Sequence, residues 1–180
     1  MQIAASQAAL PHDSFGGLPS EAVFQSIIRN GGQVILTSKL NDPNGRFGDA
    51  GLGKLAGIWD PESGTMKLSS DSNNTYDEYL NTLSHEGIHM AQSCHANSIK
   101  ASPIPIGLPI NKEGMADMEP YRDSNPSYYL SQIEREANSN DELDAQTISR
   151  IIDEECGRKP WITLLGKLRS SLQAALLGKP

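Results

Sequence analysis

The sequence predicts an α+β fold in which a small antiparallel sheet packs against two helices. Two short runs, 54–60 and 65–69, flank a Pro-Glu-Ser-Gly turn and indicate a β-hairpin. A helical pattern follows from Thr75, and a second one covers about 126–138. Because 180 residues suffice for one sizeable core and are few for two, we expect one main domain.

The elements before the hairpin are short. Residues 1–18 are small and polar with little periodicity, and they predict an N-terminal arm. A helix at about 21–29 ends at a Gly-Gly pair, and a strand at 33–40 follows it. Residues 41–53 are rich in Asn, Asp, Pro and Gly and predict a loop. We therefore expect the main domain to span 19–158.

The helix after the hairpin begins with a capping box. Thr75 is the expected N-cap, and Glu78, three residues later, can reach back to its N–H. Apolar residues then recur every three or four positions, which predicts a face packed against the core. They are Leu80, Leu83, Gly87, Ala91 and Cys94. His85, Glu86 and His89 fall on another side of the same helix.

His85, Glu86 and His89 form an HExxH pentapeptide. Histidines four residues apart on a helix have Cβ atoms about 5–6 Å apart, so both imidazoles can reach one tetrahedral Zn²⁺. Glu86 points beside the metal, where this motif places the general base that acts on zinc-activated water. The pattern predicts zinc as the cofactor, two histidine ligands and Glu86 as the catalytic residue.

A catalytic zinc site needs a third protein ligand, and the chain offers three candidates. Glu134 begins the run Glu-Arg-Glu-Ala-Asn, which resembles the ExxA(D/N) motif of several gluzincin families, where the first Glu binds zinc. The final Asp or Asn of that motif supports the ligands, and here it is Asn138. Glu136 is an alternative to Glu134. The two lie about 200° apart around the helix, so they cannot both face the metal.

His95 is the third candidate. The run from His85 to His95 has the spacing of the metzincin HExxHxxGxxH pattern, and two downstream methionines are candidates for its Met-turn. That pattern needs glycine where this chain has Gln92, and glutamine adopts the required left-handed turn poorly. The motifs therefore favour Glu134, with Glu136 and His95 as alternative ligands.

Residues 97–125 contain four prolines and predict an irregular segment, of a kind that often forms a cleft wall or lid. Tyr121, Tyr128 and Tyr129 lie near its end, before the ligand helix. Each is a candidate to stabilise a tetrahedral oxyanion with its O–H group.

Residues 159–180 carry an apolar stripe at helical spacing and predict a C-terminal amphipathic helix. The stripe consists of Trp161, Leu164, Leu165, Leu168, Leu172 and Leu176. We expect this helix and the arm at 1–18 to be the surfaces through which the chain contacts assembly partners.

The charge and hydropathy of the chain argue against some partners and some locations. A net charge of −7 is unfavourable for phosphate backbones, so no nucleic acid is expected. No apolar run is long enough to span a membrane, and the first ten residues lack the features of a signal peptide. We expect a cytoplasmic protein, or one incorporated into a particle assembled in the cytoplasm. A disulfide between Cys94 and Cys156 is one alternative, but a cytoplasmic location favours two buried thiols.

Three segments together resemble the small HExxH zinc metallopeptidases of cyanobacteria and their phages. They are Leu83 to Gln92, the Gly-Ile-Trp-Asp-Pro segment at 57–61, and Glu134 to Ala137. The resemblance covers roughly 54–138, about half of the chain, by motif. It implies a zincin-like minimal metallopeptidase fold of the gluzincin type, zinc and peptide-bond hydrolysis, and it implies no particular substrate.

The sequence therefore predicts a zinc-dependent peptidase acting on a peptide or protein, with zinc on His85, His89 and Glu134. Glu86 would be the general base. The alternative is a structural component of a larger assembly, for example a phage particle, that retains the zinc site without turnover. Structural zinc has four protein ligands, so His95 as a fourth ligand would favour that alternative.

Overall fold

The computed structural model describes residues 19–37, 40, 55–70 and 75–157. Within these ranges the fold is α+β, with a three-stranded sheet and seven helices. The predicted arm at 1–18 and the predicted C-terminal helix at 159–180 lie outside the described residues. Among the described residues, no helix has the length and apolar character that a membrane span requires.

The first helix, α1 (Pro19–Arg29), leads directly into the first strand, β1 (Gln33–Thr37). The helix begins two residues earlier than predicted. The chain leaves it through Gly31, whose φ of +89° is a left-handed conformation that glycine adopts at no steric cost. Gly32 then passes so close to Ile27 that an added Cβ would lie 2.8 Å from Cγ2 of that side chain. The two glycines thus allow a tight turn from helix to strand.

The sheet has the strand order β1-β3-β2, with β2 at Gly57–Asp60 and β3 at Thr65–Ser69. The predicted hairpin is confirmed, because β2 and β3 pair antiparallel. The prediction of a purely antiparallel sheet is wrong, because β1 pairs with β3 in parallel and the sheet is mixed. The glycine turn after α1 sets the direction of β1. In the sheet, β3 lies between β1 and its hairpin partner β2. Among the described strands, β2 therefore lies at an edge of the sheet.

The HExxH helix, α2 (Tyr76–His95), packs against α1, β2 and the last described helix, α7 (Ala145–Cys156). The predicted capping box is confirmed, because the Thr75 hydroxyl accepts the N–H of Glu78 and the Glu78 carboxylate accepts the N–H of Thr75. Four of the five residues of the predicted apolar face, Leu83, Gly87, Ala91 and Cys94, are buried, and Leu80 is half-buried. The helices approach closely at Gly87, where an added Cβ would lie 3.1 Å from a side chain of α7.

Residues 97–125 are less irregular than predicted. They contain α3 (Lys112–Met118) and the short α4 (Tyr121–Ser124). Helix α3 begins where the side chain of Asn111 accepts the N–H of Gly114 at 2.7 Å, which is an N-cap interaction. Three of the four prolines precede this helix, so the proline content characterises the stretch before α3 and not the whole segment.

The helix predicted over about 126–138 is divided into α5 (Pro126–Leu130) and α6 (Gln132–Asn138). The division lies at Ser131, whose ψ of 118° is extended. Its hydroxyl accepts the N–H of Glu134 at 3.4 Å and caps α6. Glu134 therefore lies in the first turn of its own short helix, which packs across α2.

Cys94 and Cys156 form a disulfide that joins the C-terminal ends of α2 and α7. The expectation of two thiols is wrong. It was based on a cytoplasmic location, whereas the packing of α2 against α7 brings the two Cα atoms to 4.8 Å, within the range that a disulfide spans.

Candidate metal centre

The side of α2 that faces α6 brings three donor groups together. His85 and His89 come from successive turns of α2, and Glu134 comes from the first turn of α6. The Nε2 atoms of the two histidines lie 3.1 Å apart. Oε2 of Glu134 lies 3.6 Å from Nε2 of His85 and 3.3 Å from Nε2 of His89. The three side chains are 10% to 16% exposed, so the cluster is sheltered and still reachable from solvent.

The spacing of these donors fits a tetrahedral zinc ion. Ligand atoms about 2.0–2.1 Å from a tetrahedral Zn²⁺ stand about 3.3–3.4 Å from one another. The three measured separations, 3.1, 3.3 and 3.6 Å, bracket that value. Within the described part of the chain, this is the one group of three His, Cys, Asp or Glu side chains found with donor atoms close enough to hold a metal ion.

The Nδ1 atoms of the two histidines are contacted by two residues that the sequence did not predict. Nδ1 of His85 lies 3.5 Å from Oδ2 of Asp141, and Nδ1 of His89 lies 2.8 Å from Oε1 of Gln92. Such contacts fix the orientation of metal-binding imidazoles. Gln92 lies three residues after His89, so helical spacing was a signal for it. Asp141 lies in the turn after α6, and no spacing rule points to it.

Glu86 lies beside the cluster and is held by strand β2. Its Oε2 accepts the backbone N–H of Trp59 at 2.6 Å. Gly57 makes this approach possible, because an added Cβ there would lie 2.5 Å from Cγ2 of Thr82 and 2.9 Å from Cγ of Glu86. Burial raises the pKa of the Glu86 carboxyl. Glu86 is thus a buried carboxyl next to the three donors and not one of them.

The charges of the cluster stabilise positive charge at its centre. Burial lowers the pKa of His85, but Asp141 and Glu134 outweigh it and raise that pKa to about 10. Burial also lowers the pKa of His89, and the negative charge of Glu134 reverses this into a raised value. Burial raises the pKa of Glu134, yet the two histidines hold it well below its usual range. The carboxylates thus favour positive charge on the two imidazoles, and a metal ion at this position would take the place of those protons.

The two alternative ligands contact other partners. Glu136 is fully buried and accepts the backbone N–H groups of Ile106 and Gly107, each at 2.9 Å. Nδ1 of His95 lies 2.7 Å from Oε2 of Glu155, on α7. The structure therefore places neither Glu136 nor His95 in the donor cluster.

Among the three candidate tyrosines, Tyr128 is connected to the helix of Glu134 through the side chain of Asn138. Burial and the negative charge of Glu134 raise the pKa of its hydroxyl. That hydroxyl accepts the side-chain N–H of Asn138 at 3.2 Å. The ring of Tyr121 packs on the ring of Tyr128 with 4.9 Å between centroids. The hydroxyl oxygen of Tyr129 accepts a hydrogen bond from the exposed Arg122 at 3.2 Å, away from the donor cluster.

No family model, curated protein or solved structure matches this chain. The resemblance to small zinc metallopeptidases therefore stays a prediction. The geometry of the donor cluster and of Glu86 is the ground on which a function can be proposed.

Proposed function

We propose that this chain is a zinc-dependent peptidase that hydrolyses peptide bonds in a peptide or protein substrate. The observation that carries the proposal is the convergence of His85, His89 and Glu134, with donor atoms 3.1 to 3.6 Å apart. Glu86 adds a buried carboxyl beside them. Two imidazoles and one carboxylate are the ligand set of a known class of catalytic zinc sites.

Zinc would be held by Nε2 of His85, Nε2 of His89 and a carboxylate oxygen of Glu134. Bound there, it would lower the pKa of a water molecule to about 7 and polarise a scissile carbonyl. Asp141 and Gln92 contact the Nδ1 atoms, and this leaves each Nε2 for the metal.

Glu86 would act as the general base. The N–H of Trp59 holds one carboxylate oxygen, so the other can accept a proton from the attacking water. The same carboxyl would then deliver that proton to the leaving amine. Its fixed position against β2 keeps it next to the ligands without making it a ligand.

Tyr128 is the best-placed donor for the developing oxyanion. Asn138 donates to its oxygen, which holds the hydroxyl in place, and a phenol O–H group can donate to a developing oxyanion. Tyr121 supports this position by packing on the Tyr128 ring. We assign Tyr128 rather than Tyr121 or Tyr129 to this role.

The order of the elements supports a zincin-like arrangement for the fold. A β-hairpin precedes the HExxH helix, and the short helix that carries Glu134 follows it. Strand β2 lies at the edge of the sheet and contacts α2 through the bond from Trp59 to Glu86.

The test is cleavage of a broad peptide library by the purified, zinc-loaded chain, read by mass spectrometry. Wild type should cleave, and a chelator should abolish cleavage. Glu86→Gln preserves shape and zinc content but cannot accept a proton, so cleavage should fall by about 10²–10⁴. Glu154→Gln, which removes an exposed carboxylate on α7, is the control and should keep full activity.

Two results would contradict this mechanism. Full activity in Glu86→Gln would show that Glu86 is not the base. A wild type that binds zinc, loses stability when zinc is removed and cleaves nothing would favour the alternative, a structural component of an assembly such as a phage particle.

A further inference from the structure

Gln92 connects His89 to helix α6 through a side-chain amide that is fully buried. Its Oε1 lies 2.8 Å from Nδ1 of His89. Its Nε2 donates to the carbonyl oxygen of Ile133 at 3.0 Å and to Oε2 of Glu136 at 3.2 Å. The amide oxygen therefore faces the donor cluster, and the amide nitrogen faces α6.

The partners of Gln92 allow only one orientation of this amide. A backbone carbonyl and a carboxylate both accept hydrogen bonds, so the group that faces them has to be the NH₂. A reversed amide would place its oxygen against two acceptors. The oxygen of Gln92 consequently faces His89, and Nδ1 of His89 has to carry the proton. Nε2 then keeps its lone pair on the side of the donor cluster.

Glu136 is held in place from its other side. The consecutive N–H groups of Ile106 and Gly107 each donate to one of its oxygens at 2.9 Å. Gly107 has a φ of +86°, a left-handed conformation that glycine adopts readily and that helps consecutive N–H groups to converge on an anion. Glu136 is fully buried, and both of its oxygens act as acceptors.

We propose that Glu136, acting through the amide of Gln92, is a positioning residue that fixes the Nδ1–H tautomer of His89 and presents Nε2 to the metal. This inference rests on the proposed function, because it assumes that His89 binds a metal. Glu136, a candidate ligand by sequence, thus acts on the metal site through two hydrogen bonds in series. The segment before α3 contributes by holding Glu136 with its backbone.

Zinc affinity, measured by competition with a chromophoric chelator, tests the amide. Gln92→Met keeps the length of the side chain and removes its hydrogen bonds, so affinity should fall about 10–100-fold. Glu136→Gln removes one of the two acceptors that orient Gln92 and leaves the Ile133 carbonyl, so affinity should fall in the same direction but by less. Both variants leave the three proposed ligands unchanged.

Asn140→Leu is the matched control. Asn140 is another buried amide on this side of the fold, and it donates to the backbone carbonyl oxygens of Pro109 at 2.8 Å and of Glu136 at 2.7 Å. Both bonds go to the main chain, and neither involves the Glu136 carboxylate, Gln92 or His89. Asn140→Leu should lower the melting temperature while changing zinc affinity by less than about threefold, well below the effect of losing an orienting partner.

A spectroscopic measurement on wild type keeps the proposal testable if a variant fails to fold. In ¹⁵N-labelled protein loaded with ¹¹³Cd²⁺, the metal should couple to Nε2 of His89, and Nδ1–H should give a slowly exchanging proton signal. Coupling to Nδ1 instead would overturn the proposal. So would a folded Gln92→Met that keeps wild-type affinity, and this result would leave the proposed function intact. Failure of wild type to bind Zn²⁺ or Cd²⁺ would overturn both.

Discussion

The three histidines of α2 lie in two different sites, one on α6 and one on α7. His85 and His89 face α6 and share one carboxylate, Glu134, so that three donor atoms converge. His95 faces α7, where it binds Glu155 beside the disulfide. The spacing of all three histidines fits a metal-binding pattern, yet only the first two meet a third donor. Convergence of donors, rather than spacing along the helix, separates a candidate ligand from a histidine that joins two helices.

The largest expected effect is a difference in zinc binding between variants of the two sites. His89→Ala removes one of three converging donors, so zinc affinity should fall by more than the roughly 10–100-fold that loss of an orienting partner costs. His95→Ala should keep wild-type affinity and lose only some stability, because it leaves Glu155 buried without the imidazole. Zinc per chain after dialysis is the measurement. Loss of zinc in His95→Ala with retention in His89→Ala would reverse the assignment.

The disulfide offers the next contrast, since it lies at the His95 end of α2. Replacing both cysteines by alanine, Cys94→Ala with Cys156→Ala, should lower the free energy of unfolding by about 2–5 kcal/mol, the usual cost of losing a native disulfide from a small domain. Urea titration with and without zinc measures this. Zinc affinity of the folded variant should stay at the wild-type value, and a parallel fall in affinity would show that the two ends of α2 are not independent.

The smallest expected effect concerns the contact between α1 and α7. Burial raises the pKa of Asp153, but hydrogen bonds from Ser26, Arg29 and Asn30 outweigh it and hold that pKa below its usual range. The carboxylate therefore stabilises the fold above the unfolded pKa of about 3.9, and this contribution is lost as pH falls through the folded pKa. Because the side chain is 38% exposed, we expect about 1 kcal/mol or less.

Urea titrations between pH 6 and about pH 3 test this contribution. Asp153→Asn should lose less stability than wild type over that range, because it has no carboxylate to protonate. The neighbouring Glu154→Gln, which alters an exposed pair with Arg150, should follow wild type. Identical pH profiles for wild type and Asp153→Asn would show that the polar contacts of α1 with α7 contribute nothing at this position.

The features that the sequence predicted correctly are those encoded by short-range patterns. The capping box of Thr75 and Glu78, the β2–β3 hairpin and the apolar face of α2 depend on residues within a few positions of one another. The ExxA(D/N) run also favoured Glu134, which lies with the two histidines, over Glu136, whose side chain contacts the segment before α3; the role of Glu134 as a ligand stays a prediction. Helical geometry alone brings His85 and His89 to one side.

The features that the sequence did not predict depend on packing between distant segments. The parallel pairing of β1 with β3 and the disulfide require the final arrangement of the elements. Asp141 reaches His85 only because the turn after α6 passes over α2. The ligand helix is divided at Ser131, because the Ser131 hydroxyl accepts the N–H of Glu134 and caps a new helix there. Periodicity carries none of this information.

The most direct test of the metal centre is anomalous scattering at the zinc edge from crystals grown with zinc. We expect one peak about 2.0–2.2 Å from Nε2 of His85, Nε2 of His89 and a carboxylate oxygen of Glu134, with no fourth protein ligand. A peak at His95 and Glu155 instead, or a fourth protein side chain closing the site, would contradict a catalytic zinc centre on α2 and α6.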